Sequence, residues 1–564
     1  MKKRRLLYAL TSLFSLTLVI SSCGKKGETT SGSSDECDPM FGCDSSSEDR
    51  TPPVELQDDP HQDYQIDENV SNANGSMSYE IFVRSFYDSN GDKIGDFNGI
   101  TAKLDYLSKM GFKTLWLMPI HKSPSYHGYD VTDYYSVNPD YGTLSDFDNM
   151  VQKAKEKNID IMIDFVINHS SDQNQWFIDS LKDFADNNTS ATSKKDWYTW
   201  STSPISSSYK MYNGTKYYYE TYYDFGTMPA FNLDNEALRD EIDNVTKFWV
   251  QGHGVKAFRL DAAMHYYGSV EKTNEFMTWL ENTGKKYDND FHMVGECWTD
   301  GNGVLNYYNS ECDSFFNFDS SIEGRGDKAI VSVVKRVTDA KKFGDSIEYY
   351  ESLVKQKNPN AYSSYFLSNH DMDRISDNLV DTYAGEAANL LATLPGTPYM
   401  YYGEEIMMKG KRQGNDMSDA RRRLPMVWSK DDKTGECGFP EKGRPDLDNN
   451  DQVKSGVNDE IAIPKSVLNA YRKAINVRNK YPIFKHGVFK NMTTELAAND
   501  KSVLAYKISL GNEYVIVVHN FSFKNQEMNA LGTEILEQMN IGNKLPELNG
   551  GKLRIGARSS VIIH

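Results

Sequence analysis

Residues 254 to 265 read GVKAFRLDAAMH, an apolar run that carries an arginine and an aspartate two positions apart. Side chains at i and i+2 of an extended strand project from one face, so Arg259 and Asp261 share a side of a segment whose other residues suit a core. A buried carboxylate costs several kcal/mol unless it is paired. The neighbouring guanidinium supplies that pair and is expected to keep Asp261 ionised.

Working outward, this run is the fourth of eight. YEIFVRSF, FKTLWLMPI, DIMIDFVINH, VKAFRLDA, FHMVGEC, CDSFFNFD, SYFLSNHD and TPYMYYGEE alternate with helical stretches from about residue 79 onward. Near-continuous apolar strands separated by helices predict a parallel sheet covered on both sides, and eight is the number that closes a (β/α)8 TIM barrel, an α/β fold. The third and fourth runs are separated by far more chain than one helix needs. Residues from about 170 to 235, with DWYTW and KYYYETYYDF, are therefore read as a small inserted domain. The barrel with its insertion is assigned to residues 76–480. The runs SVLAYKISL, EYVIVVHNF and RSSVIIH beyond it predict a C-terminal antiparallel β-sandwich over 481–564.

The 39% hydrophobic and 12% aromatic content of the 564 residues is that of a folded chain with two or three packed units. Eighty acidic against 62 basic residues, a formal charge of -18, argue against nucleic acid or anionic lipid as partner and suit a neutral substrate. A monomer is expected. The start, MKKRR followed by LLYALTSLFSLTLVI and SSC, has the basic and apolar regions of an export signal. Its ending, ISSC, resembles a bacterial lipoprotein signal, which implies cleavage before Cys23 and lipid on that thiol. Residues 1–23 are then a signal, residues 24–75 a flexible, Ser-, Gly- and acid-rich tether, and the remainder an exported body joined to a bacterial membrane only through acyl chains. Cys37, Cys43, Cys297, Cys312 and Cys437 have neither a disulfide-framework nor a zinc spacing, although Cys37 and Cys43 could close a small loop.

Three of the eight runs end in an acid: Asp261 after AFRL, Glu296 after HMVG and Asp371 after YFLSNH. The carboxyl ends of barrel strands converge on one face, so these acids are expected in one pocket, accompanied by His169, His370 and Arg259.

DFVINH (164–169), AFRLDAAMH (257–265), VGECW (294–298) and FLSNHD (366–371) resemble, in order and spacing, the four conserved regions of glycoside hydrolase family 13, the α-amylase family. SYHGYDVTDYYSVNPDYGT (125–143) and GTPYMYYGEE (396–405) are similar to the same family, and the likeness is greatest to bacterial α-amylases between oligo-1,6-glucosidases and neopullulanases. The resemblance implies an α-glucan hydrolase with Asp261 as nucleophile, Glu296 as general acid/base and Asp371 as transition-state stabiliser. This agrees with the chemistry of a retaining glycosidase, in which one carboxylate attacks the anomeric carbon while a protonated one serves the leaving oxygen. Glu296 then needs a raised pKa, from desolvation and from the two anionic neighbours. By the same likeness His169, His370 and Arg259 bind the sugar at the cleavage point or hold the acids, and Tyr129 stacks on it. Asp164 pairs with Arg259, His265 and Trp298 meet the leaving-group sugar, and Arg374 contacts a sugar on the other side.

DSNGDKIGD, residues 88 to 96, sets oxygen side chains at alternate positions: Asp88, Asn90, Asp92 and Asp96, with the Ile94 carbonyl between. The spacing is that of the first part of a calcium loop without the later bidentate Glu of an EF-hand; the resemblance favours Ca2+, with Mg2+ possible at the same loop.

Three positions depart from the family pattern. MPAFN (228–232) has Ala230 where an acid is usual, Ala257 replaces a common Gly, and Met264 a common Lys. Asp130 and Arg423 resemble the pair that clamps a terminal glucose in exo-acting relatives; if they meet, chain ends would be trimmed, and if not, an open cleft would cut internally. The rivals to an α-amylase are thus an exo-glucosidase, oligo-1,6-glucosidase or neopullulanase-like enzyme, a transglycosylase on the same site, and a noncatalytic saccharide-binding protein. The presence of all three acids argues against the last.

Overall fold

The computed structural model describes residues 77–412, 419–440, 453, 455–540 and 544–564. Cys23, Cys37, Cys43, the leader and the tether lie outside the described residues.

Eight strands, β1 (Ser78–Ile81), β2 (Thr114–Leu117), β3 (Asp160–Phe165), β4 (Ala257–Leu260), β5 (His292–Gly295), β6 (Ser314–Phe316), β7 (Tyr362–Ser364) and β8 (Tyr399–Tyr401), pair in parallel in the order β7-β6-β5-β4-β3-β2-β1-β8. The two ends of this sheet meet: Phe366, just beyond β7, bridges Tyr399, and the Tyr399 N–H donates to the Tyr365 carbonyl at 2.8 Å. The ring is therefore closed, and closure removes the unpaired edges that an open sheet would expose.

Strand alternation decides what fills it. Trp116, Met162, Ala257, Val294, Phe316, Phe366 and Tyr399 form one buried cluster drawn from seven different strands or their exits, the interior layer of the barrel. Leu115, Leu117, Ile161, Ile163, Phe258, Leu260 and Met293, out of phase by one residue, belong to the larger cluster beneath the helices. Arg259 and Asp261 follow Ala257 in the inward phase, and the Arg259 guanidinium lies 5.2 Å from the centroid of the interior Trp116 ring. Two charges thus stand on one face of an apolar strand because that face looks along the barrel axis to its open end.

The seventh strand begins earlier than its sequence run. Regular pairing covers Tyr362–Ser364, and most of SYFLSNHD is the exit loop that carries His370 and Asp371.

Between β3 and β4 the inserted segment forms the helix Gln175–Ala185 and a three-stranded sheet of Trp200–Ser201, Thr215–Tyr219 and Tyr209–Tyr212. Its aromatic residues mostly pack on one another, as in the Phe177 ring stacked 4.9 Å from Trp200. A bridge from His169 to Ala230 ties its last part to the β3 exit, and one from Thr221 to Pro229 closes a loop within it.

From Val488 onward, a five-stranded sheet and a three-stranded sheet, both antiparallel, enclose a core of Val503, Ile516, Val518, Met528, Leu553 and Val561, a β-sandwich. Among the described residues no helix is long and apolar enough to cross a membrane. Cys297, Cys312 and Cys437 are buried free thiols.

Candidate active site

The end of β3 and the exits of β4, β5 and β7 bring Asp164, Asp261, Glu296 and Asp371 into one pocket. Arg259 is its hub. One guanidinium nitrogen, Nη1, donates to Asp164 Oδ1 at 2.8 Å and to Asp261 Oδ1 at 2.9 Å, while Nη2 lies 3.2 Å from Glu296 Oε2. Arg259 is 1% exposed, so these contacts act in a medium of low dielectric. Glu296 Oε2 also accepts the Ala262 N–H at 2.9 Å. Ala262 takes left-handed angles, φ 47 and ψ 36, an unfavourable backbone state for a residue with a Cβ that persists where surroundings impose it.

Asp371 has separate cations. Arg423 Nη2 donates to its Oδ1 at 2.7 Å, and His370 Nε2 lies 2.9 Å from its Oδ2 as an ion pair. His370 Nδ1 in turn donates to Glu80 Oε1 at 2.5 Å, a β1 carboxylate in the barrel interior. Burial opposes the His370 charge, but Asp371 and Glu80 on its two nitrogens outweigh it and raise the imidazole to about 10. Burial likewise opposes ionisation of Asp371, yet His370, Arg423 and Arg259 hold its carboxyl well below the usual range. Tyr129 links the two halves: its hydroxyl accepts from His370 Nε2 at 2.6 Å and donates to Asp164 Oδ2 at 3.0 Å, its ring stacked on His370.

The protonation of Asp261 differs from expectation. Burial pushes it up to about 7; Arg259 opposes, and Asp164 and Asp371 add to the rise. A single guanidinium divided among three carboxylates cannot fully neutralise any one of them. Burial also raises Glu296, again against Arg259, with Asp261 and Asp371 adding. A proton on Glu296 removes one like charge from beside Asp261 and leaves Arg259 more fully to it, so protonated Glu296 and ionised Asp261 reinforce one another.

The other sequence candidates fall into distinct places. His169 is neutral, lowered to about 3 by burial, and both ring nitrogens bond within the protein: Nε2 donates to the Tyr129 carbonyl at 3.1 Å and Nδ1 accepts from Asn168 at 3.2 Å. His265 Nε2 bonds the Tyr223 hydroxyl at 2.9 Å. Trp298 is 41% exposed and stacks on Phe318, a ring available to a ligand on its open face. Arg374 is a correction. Expected to contact sugar, it is fully buried, its guanidinium donating to the Arg422 and Tyr402 carbonyls and lying over the Tyr401 and Tyr402 rings. Asp130 and Arg423 form no ion pair: Asp130 accepts from Ser123 at 2.6 Å and from Ser125, while Arg423 serves Asp371 and the His370 carbonyl.

Sequence reading passed over Glu80, Tyr222 and Tyr223. Glu80 carried the same signal as Arg259, a charge inside an apolar run. Tyr222 stacks on His169 at 4.9 Å, and burial with the Asp261, Glu296 and Asp371 charges keeps its phenol far above the usual tyrosine range.

In the 88–96 loop, Asp88 accepts the N–H groups of Asn90, Gly91 and Lys93, Asn90 that of Asp92, and Asp92 that of Ile94. Asp96 accepts from Ser89 and caps the helix Phe97–Met110 through Gly99. Among the described residues no three His, Cys, Asp or Glu side chains form a metal cluster. The donors Asp88, Asn90, Asp92, Asp96 and the Ile94 carbonyl are all hard oxygens, a set whose chemistry fits Ca2+ or Mg2+ rather than a thiophilic metal.

A closed barrel with acids at the exits of β4, β5 and β7 around a buried arginine defines a glycosidase-type centre. The chain belongs to the α-amylase family: the model of the alpha amylase catalytic domain matches residues 80–487. It is 36% identical over 501 residues to Alpha-amylase 3 of Dictyoglomus thermophilum, covering 86% of this chain and 93% of that protein. Identity to the Oligo-1,6-glucosidase of Parageobacillus thermoglucosidasius is 30% over 534 residues, 80% of this chain and 90% of the other. The structure of Eubacterium rectale Amy13B superposes with a TM-score of 0.78 at 32% identity, over 87% of this chain and 95% of that one. An α-amylase from H. orenii gives 0.73 at 32%, over 86% and 99%. The protein is an α-amylase-like glycoside hydrolase.

If Asp261 is the attacking carboxylate, activity should be present above its pKa and lost as pH falls through about 7. Asp164→Asn removes a like charge and frees Arg259, so the acid limb of the kcat/KM profile should move to lower pH. An unmoved limb, or one displaced upward, would contradict the shared-guanidinium account.

Proposed function

We propose that the protein hydrolyses internal α-1,4 links of starch or maltooligosaccharides with retention, by double displacement. Asp261 Oδ attacks the anomeric carbon as the bond to the leaving oxygen breaks and Glu296 delivers its proton to that oxygen. Water then attacks the same carbon, giving its proton back to Glu296 and releasing Asp261 from the ester. The observation that carries the reading is that one guanidinium contacts both Asp261 and Glu296, so the two carboxylates stand close together, as a double displacement needs. Asp371, kept anionic by His370 and Arg423, would stabilise the oxocarbenium character of the transition state. Ala262 N–H occupies Glu296 Oε2, leaving Oε1 to carry the proton.

Internal cutting is favoured over exo action because Asp130 and Arg423, the candidate end clamp, are each engaged elsewhere. With starch, early products should be mixed oligosaccharides rather than glucose alone. Asp261→Asn should lower kcat by roughly 10⁴-fold or more while maltooligosaccharide binding survives. Glucose as the sole early product would refute endo action, and undiminished turnover by the variant would refute the role of Asp261.

We also propose that Asp88, Asn90, Asp92, Asp96 and the Ile94 carbonyl hold Ca2+, which would brace the turn ahead of the helix Phe97–Met110. Mg2+ would suit the same oxygens. The ISSC ending supports an exported protein attached to a bacterial cell or outer membrane through lipid on Cys23, acting as a monomer on polymers outside the cytoplasm. Added Ca2+ should raise the thermal midpoint of chelator-treated protein, and Asp88→Ala with Asp92→Ala should abolish the rise; a rise that survives both substitutions would place the ion elsewhere.

A further inference from the structure

The inserted segment sends a short loop over the barrel mouth. Its ends are closed by the Thr221–Pro229 bridge and by the Tyr222 N–H donating to the Met228 carbonyl at 2.9 Å. At its tip two consecutive residues, Tyr223 (φ 46) and Asp224 (φ 61), take left-handed angles although neither is glycine. Such a state costs free energy and persists only when surroundings impose it. Burial of Tyr223 is no compensation, since its side chain is 64% exposed, and Phe225 beside it is 55% exposed. What the strained backbone achieves is placement. Tyr222 lies flat against His169 and edge-on to His265 at 5.4 Å. Tyr223 stands edge-on to His265 at 4.8 Å, its hydroxyl bonded to the same imidazole at 2.9 Å. The two tyrosines contact each other at 4.7 Å and 62°, an angled pair with one open ring at the rim.

Position relative to the acids fixes which side of the cleavage point this is. Tyr223 is bonded to His265, whose backbone N–H donates to the Ala262 carbonyl at 2.8 Å, and the Ala262 N–H in turn donates to Glu296 Oε2 at 2.9 Å, so a short run of hydrogen bonds joins Tyr223 to Glu296. The residue that protonates the leaving oxygen faces the departing sugar, so the rim near Glu296 belongs to the leaving chain.

We propose that Tyr223, set by the strained tip and by His265, is a specificity-determining residue that stacks on the first glucose unit of the leaving chain, with Tyr222 as its inner support. The CH face of a glucopyranose is apolar and matches an exposed phenol ring, and the His265 bond fixes the ring before substrate arrives. This inference rests on the α-glucan reading above.

The test compares maltotetraose, which fills the leaving-group side, with α-maltosyl fluoride, whose fluoride leaves that side empty. In Tyr223→Ala the ratio of kcat/KM for maltotetraose to that for the fluoride should fall about tenfold, the loss residing mainly in KM. Tyr223→Phe, which keeps the ring and loses only the bond to His265, should retain most of the preference, and Tyr223→Trp should restore it. Equal proportional losses on both substrates, or no change on either, would overturn the proposal. A wild-type protein that turned over neither substrate would remove the α-glucan reading and this inference with it.

Discussion

Inside the barrel one guanidinium is asked to balance three carboxylates. Among the described residues Arg259 is the sole cation in contact with Asp164, Asp261 and Glu296, all of them buried. Placing full charges there is expensive, and breaking such a network by deleting its cation would leave buried charge uncompensated, at a cost of about 3–5 kcal/mol. The same shortage of positive charge has chemical use. It forces a proton onto the cluster near neutrality, and a glycosidase needs one acid protonated beside another that is not.

The fold exists to hold that arrangement. Period-two alternation along β4 aims Arg259 and Asp261 along the barrel axis while Phe258 and Leu260 anchor the strand beneath the helices. Glu296 leaves β5 one residue after the paired Gly295, next to Leu260 in register, which places it level with Asp261. Asp371 arrives from a longer exit loop and therefore needs its own restraints, supplied by Arg423 and by His370 braced on Glu80. Four parts of the chain distant in sequence are thus located by one closed ring of backbone hydrogen bonds.

Much of this was legible from residue order. The eight apolar runs, the long insertion between the third and fourth, and the charges in strand phase all follow from local pattern, and so did the gathering of Asp261, Glu296 and Asp371. Properties that depend on how loops fold back were not. Nothing in HDMDR distinguishes an arginine that reaches a ligand from one like Arg374 that turns inward to cap carbonyls of the β8 exit. How far Arg259 lowers the Asp261 pKa was not legible, because two residues of spacing reveal Arg259 as a partner and do not reveal that Asp164 and Glu296 share it. Tyr222 and Tyr223 sit in an aromatic-rich insertion where composition alone could not separate core rings from cleft rings.

The central claim is that these acids perform a double displacement with Asp261 as the nucleophile that bonds the anomeric carbon. Incubating Glu296→Gln with a 5-fluoro-α-glycosyl fluoride and digesting the product for mass spectrometry tests it directly. The account predicts a glycosyl adduct on the peptide containing Asp261; an adduct on any other carboxylate, or release of inverted product with no adduct at all, would contradict it.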